Sequence, residues 1–261
     1  MKKVIYYSDE LNDEFAGDQI TARKIDETYN YDGKSLSWRF KHFLLYRIVG
    51  LIFAPIIMKL KYHHKIVNRK VVKPYLKTGY FIYGNHTNNG ADVLIPIVVN
   101  HPTDTFFLVN ANNVSLPFLG KLTPYFGALP LPDTLSAGRN FMNTMKYHVE
   151  KNKCVLIYPE AHIWPFYTKI RPFLDSSFKY PVEFDKPVFC FTNTYQKRHF
   201  GKKPKMVTYV DGPFFADKSL KLKEQRKYLR DMCYNAMVER SKNSNLELIK
   251  YVKREEIKTG E

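Results

Sequence analysis

A chain of 261 residues with 44% apolar and 15% aromatic side chains can bury a full core, which excludes a disordered or collagen-like polymer. Lys and Arg outnumber Asp and Glu by 41 to 25, a formal charge of +16, so the expected partners are anionic: nucleic acid, an anionic membrane surface or phosphorylated substrates. Three scattered cysteines, Cys154, Cys190 and Cys233, suggest neither a disulfide framework nor a zinc site and fit a reducing, intracellular setting.

Residues 1–36 open Met-Lys-Lys, turn acidic and polar, and contain no apolar core of a signal peptide, so an irregular arm is expected. The most apolar stretch is 43–60, FLLYRIVGLIFAPIIMKL, just short of the roughly 20 residues that span a bilayer. Arg47 and Pro55 interrupt it, Gly50 weakens it as a helix, and basic residues flank both ends (Arg39, Lys41; Lys59, Lys61, Lys65, Arg69, Lys70). A charge at bilayer depth costs at least about 2.5 kcal/mol. The expectation is therefore a membrane-interface helical segment over 37–69, basic side chains on the headgroups. The alternative is a helix packed on the protein's own core.

From residue 70 onward, short apolar runs alternate with longer stretches of helical spacing. The runs at 80–83, 105–109, 154–158, 188–192 and 206–210 read as buried strands. An apolar run follows at 93–99, helical spacing at 135–152, and a basic amphipathic helix at 219–242; the last residues read as solvated. The pattern predicts an α/β domain over 70–261, a mixed central sheet flanked by helices, with the membrane-interface segment on its N-terminal side. No helix-turn-helix, zinc-finger or RNA-recognition signature is present, so no nucleic-acid partner is expected.

The segment carrying chemistry is Gly84-Asn85-His86-Thr87-Asn88-Asn89-Gly90-Ala91-Asp92, a turn between a buried strand and an apolar helix. A His on such a turn with a carboxylate a few residues on makes a base and its orienter: the carboxylate fixes the tautomer and the other ring nitrogen takes a proton from a hydroxyl. Asn-Asn-Gly tolerates positive φ and is expected to curl Asp92 back to His86. The residues alone equally allow a structural His86 and an Asp92 that caps a helix. Glu160, past the strand 154–158, reads by itself as a cap or surface charge. The histidines show no metal-binding spacing, so no metal site is expected.

In order and spacing, these segments resemble the glycerolipid (lysophospholipid) acyltransferase family over residues 40–215. Asn85, His86 and Asp92 match its first block. Gly127, Leu129, Pro130 and Leu131 match the start of Gly-x-Ile-Pro-Val-x-Arg. Tyr158, Pro159 and Glu160 match the start of Phe-Pro-Glu-Gly-Thr-Arg, and Lys186-Pro187-Val188 echoes the Val-Pro-Val strand. Five residues rather than four separate His86 from Asp92, Asp133 stands where the second block has Arg, and Ala161-His162 replaces Gly-Thr. The resemblance implies acyl transfer from an acyl thioester, on coenzyme A or acyl carrier protein, to the hydroxyl of a lysophospholipid such as 1-acyl-glycerol-3-phosphate, giving phosphatidic acid. His86 would be the general base and Asp92 its orienter, with no acyl-enzyme and no cofactor beyond the co-substrate. Glu160 would belong to the acceptor site or hold it in shape, and Lys121 or Arg139 would replace the missing arginine at the acceptor phosphate. The expected location is the cytoplasmic face of a membrane, peripheral or monotopic. Rival readings are the same fold on glycerol 3-phosphate or a glycolipid, a thioesterase in which His86 activates water, and a basic membrane- or nucleic-acid-binding module without catalysis.

Overall fold

The computed structural model describes residues 3–15, 20–31, 33–201 and 203–254. The elements in order are β1 (Lys3–Tyr7), α1 (Leu36–His42), a π-helical stretch (Phe43–Gly50), α2 (Leu51–Tyr62), β2 (Lys65–Val67), β3 (Tyr80–Gly84), α3 (Asn89–Asp92), α4 (Ile95–Asn100), β4 (Thr105–Val109), α5 (Ala111–Ser115), β5 (Ala128–Pro130), α6 (Leu135–Glu150), β6 (Cys154–Ile157), α7 (Lys179–Glu183), β7 (Val188–Gln196), β8 (Lys205–Phe214), α8 (Leu222–Ser241) and β9 (Ile249–Lys253). Seven strands form the expected mixed sheet in the order β2-β8-β7-β3-β6-β4-β5. The pairs from β7 to β5 are parallel, β8 runs antiparallel to β7, and β2 is parallel to β8.

The central strand β3 is buried on both faces, and its alternation sorts side chains between two cores. Tyr80 and Ile82 join Leu156, Phe189 and Phe191 beneath the apolar helix, and Phe81 and Tyr83 join Val155, Ile157, Phe141 and Leu229 beneath α6 and α8. The last residue of β3, Gly84, carries no side chain because Phe191 leaves no room for one: a Cβ there would lie 2.3 Å from the Phe191 ring. Cys154, Cys190 and Cys233 are buried free thiols in β6, β7 and α8.

Residues Leu36–Tyr62 form one helix long and apolar enough to cross a membrane by length and composition. One face of this helix packs on the domain and the other is left exposed. His42, Tyr46, Gly50, Ala54 and Met58 are buried against the domain, while Phe40, Phe43, Ile48, Ile52, Phe53 and Leu60 point outward, Leu60 being 71% exposed. A four-residue repeat drifts about 40° per step on a regular α-helix. The wider π turn drifts the other way and keeps the inner stripe on one line. Arg47 is paired: its guanidinium lies 2.9 Å from Asp104, a buried carboxylate that also pairs with Lys153 at 2.6 Å. Burial raises the Asp104 carboxyl, but His42, Lys153 and Arg47 overcome it and hold it well below the usual carboxylate range.

The N-terminal arm is not wholly irregular. Its Lys-Val-Ile-Tyr-Tyr run is β1, paired in parallel with β9 near the C-terminus, and Ile25 and Tyr29 are buried beside Val114. The expectation of a solvated end therefore fails over Ile249–Lys253, where β9 sits, and for residues 255–261 it lies outside the described residues. Neither strand is visible to a local reading, because each gains its partner from the opposite end of the chain.

Candidate active site

In a parallel sheet the turns beyond the carboxyl ends of adjacent strands face one another and form a crevice. β3 and β6 pair in register, Tyr83 beside Ile157, so the turns starting at Asn85 and Tyr158 meet. The chain then crosses from β6 to β7 on the other side of β3, and the loop of residues 158–178 passes over the end of β3.

His86 sits on this turn with its side chain 18% exposed, and its Nδ1–H donates to Asp92 Oδ2 at 2.8 Å. The same oxygen accepts the backbone N–H groups of Thr87 at 2.9 Å and Asn88 at 2.8 Å. Asp92 is 1% exposed, so three donors compensate its burial. Among the described residues, His86 Nε2 has no hydrogen-bond partner. The curl that returns Asp92 to His86 is not the expected positive-φ bend, since Asn88, Asn89 and Gly90 all have ordinary φ. It is instead the short helix α3, capped by the Asn88 side chain, which accepts Ala91 N–H at 3.0 Å. The five-residue spacing is thus absorbed by one helical turn.

Tyr158 completes the His86 surroundings. Its ring stacks on the imidazole at 4.2 Å and 9°, and its hydroxyl donates to the Asp92 carbonyl at 2.5 Å. Burial, with the Asp92 charge adding to it, pushes the Tyr158 hydroxyl well above its ordinary value, so it remains a donor. The backbone is pinned as well. Asn85 exchanges two hydrogen bonds with the Asn193 main chain, at 3.1 and 2.7 Å; His86 C=O accepts Trp164 N–H at 3.2 Å, and Thr87 C=O accepts Phe166 N–H at 2.8 Å.

Glu160 lies beneath this turn, where it holds the turn in shape. It is 3% exposed. One oxygen accepts His86 N–H and the other Arg171 N–H, both at 3.0 Å, and the buried Arg171 guanidinium lies 3.6 Å away. Burial raises the Glu160 carboxyl, opposed by Arg171 and those backbone donors. With both oxygens engaged, Glu160 ties the His86 backbone to the overlying loop. Arg171 and Tyr158 were not singled out as site residues; the signal was the Arg-Pro-Phe after the carboxylate and a Tyr in place of Phe before it.

Lys121 and Arg139 are exposed and form no salt bridge among the described residues. Neither is beside His86: Arg139 is on α6 and Lys121 follows α5, towards the β5 edge of the sheet. β5 is three strands from β3, about 14 Å at the usual strand spacing. Asp133, standing where the second block has Arg, spends its carboxylate on the Ile25 N–H at 2.7 Å and so holds the N-terminal arm.

The termini brace the overlying loop from outside. Trp164 Nε1–H donates to the Asp13 carbonyl at 2.8 Å, Arg171 to that of Glu10 at 3.2 Å, and the Tyr251 hydroxyl of β9 to that of Pro165 at 2.9 Å.

Among solved structures, the chain is similar to the crystal structure of the 1-acyl-sn-glycerophosphate (LPA) acyltransferase PlsC from Thermotoga maritima, with 16% identity and a TM-score of 0.45, covering 80% of this chain and 96% of that one. No curated protein matches. The family model described as Acyltransferase matches residues 61–192, just over half of the chain. That span holds the His86–Asp92 pair, Tyr158, Glu160 and Arg171, and on this match the chain belongs to the acyltransferase family.

Proposed function

We propose that this acyltransferase moves a fatty acyl group from a thioester of coenzyme A or acyl carrier protein to the free hydroxyl of a lysophospholipid such as 1-acyl-glycerol-3-phosphate. The observation that carries the reading is the His86–Asp92 contact at 2.8 Å with the opposite ring nitrogen unpaired. A hydroxyl presented to Nε2 gives up its proton as its oxygen attacks the thioester carbonyl. Asp92 steadies the imidazolium without itself taking the proton. The tetrahedral intermediate collapses, the carbon–sulfur bond breaks, and the departing thiolate takes the proton back from Nε2. An ester and a free thiol result, and no acyl-enzyme forms.

The apolar helix supports action at a membrane surface. His42 Nδ1 contacts the Tyr125 carbonyl at 2.7 Å near its start, Tyr46 accepts Thr105 N–H at 2.8 Å, and Met58 is buried near its end. A helix held against the domain along its length cannot cross a bilayer without drawing the sheet in with it. It can lie flat, outer face in the acyl region, as a monotopic anchor on the cytoplasmic side.

A labelled acyl thioester offered with a panel of acceptors tests the reading. Labelled phosphatidic acid formed only with lysophosphatidic acid supports it. Labelled free fatty acid without any acceptor would mark a thioesterase instead. The Asp133–Ile25 contact occupies the position where the second block carries Arg, so the panel includes glycerol 3-phosphate and a glycolipid.

A further inference from the structure

The site draws Asn193 from β7 but not the tip of the hairpin that joins β7 to β8. Its strands pair from Val188 opposite Phe214 out to Gln196 opposite Lys205, and its tip reads Lys197-Arg198-His199-Phe200-Gly201-Lys202-Lys203-Pro204. Five Lys and Arg residues lie between 197 and 205, and no acidic residue occurs between 186 and 210. Phe200 at the tip is 85% exposed, with Lys197 and Lys203 exposed on either side. A large aromatic left bare among cations gains nothing from water.

Its position gives it a use. β2 follows directly on α2 and pairs with the first half of β8, Lys65 opposite Val207, which brings the hairpin to the end of the apolar helix. Arg198 Nη1 donates to His63 Nε2 at 2.6 Å, one residue beyond that helix. Lys59, Lys61 and Lys65 are exposed there too. The apolar outer face of the helix thus runs into a cationic rim that carries one aromatic side chain.

We propose that this hairpin is a second membrane contact, placing Phe200 among the acyl chains and Lys197, Lys203 and their neighbours on anionic headgroups. The proposal rests on the membrane reading given above and adds a second contact point to it. An acidic protein would be attracted by the same charge, but the bare Phe200 and its continuity with the apolar helix fit a lipid surface better. Two contact points, one along the helix and one beyond its end, would fix the rotation of the enzyme on the membrane.

Flotation of the full chain with phosphatidylcholine vesicles, with and without phosphatidylglycerol, tests this. Phe200→Ser is expected to weaken binding to both about tenfold. Lys197→Gln with Lys203→Gln is expected to weaken binding to the anionic vesicles about tenfold and to leave neutral vesicles unaffected. Neither change touches a core residue or the site, so acyl transfer in detergent micelles should be unchanged. Ile52→Asp with Ile56→Asp, on the outer helix face, serves as the separate test of the anchor. If the helix variant loses binding while the hairpin variants bind like wild type, the hairpin proposal is overturned and the anchor stands. If hairpin variants float normally but lose activity with acyl carrier protein alone, the proposal is overturned in favour of a protein dock. If wild type floats with neither vesicle, the membrane reading falls and the hairpin proposal with it.

Discussion

Asp92 and Glu160 are buried carboxylates in one hydrogen-bond web, spent differently. Asp92 gives one oxygen to His86, Thr87 and Asn88, whereas Glu160 divides its two between the His86 and Arg171 backbones. Glu160→Gln leaves Arg171 as an uncompensated buried charge. It should cost about 3–5 kcal/mol in urea denaturation, much of it recovered by Glu160→Gln with Arg171→Met. A variant of unchanged stability with only a raised KM for acceptor would return Glu160 to substrate binding. Ala161 follows Glu160 at φ +62°, where the family motif has Gly, and it is exposed. Ala161→Gly relieves a left-handed alanine without losing a contact and should raise stability by about 1 kcal/mol by the same measurement. At this scale the sequence was most legible, since His86, Asp92 and Glu160 are local motifs. Burial is not local, and so the paired Arg171 went unseen.

Among the elements, the apolar helix departs most from a one-dimensional reading. Its hydropathy was plain, but Arg47 looked like an interruption because the carboxylate that receives it lies 57 residues away at Asp104. The same distance problem hid β1 and β9, while β3, β4, β6, β7 and β8 were recognisable as apolar runs that need no knowledge of their partners. Asp104 fastens the helix to the sheet through Arg47 and Lys153. Asp104→Asn should cost about 2 kcal/mol and make the helix a site of early proteolysis while His86 chemistry in detergent persists. Proteolysis confined elsewhere would contradict that anchoring role.

For the whole molecule, charge and burial together set the response to acid. His64 is pushed down to about 4 by burial, and His148 down to about 3 by burial with the charges of His42 and Lys153 adding to it. Both are neutral in the fold and become protonated on unfolding near pH 6.5, so their contribution is complete above that pH and is lost as pH falls towards 4. The urea midpoint should therefore decline from pH 6.5 downward, and His64→Gln should flatten the decline. A midpoint constant from pH 7 to 5 would contradict the neutral burial of these rings. The charge of +16 spoke for an anionic partner but not for which face meets it. The face we propose for it depends on the helix and the hairpin being adjacent in space, which no local pattern carries.

The most direct test is single-turnover acyl transfer by wild type and His86→Ala at matched folded concentration, with near-ultraviolet circular dichroism to show that both are folded. The account predicts a loss of at least about 100-fold, with labelled diacyl product from wild type. A His86→Ala enzyme transferring the acyl group at the wild-type rate would contradict it.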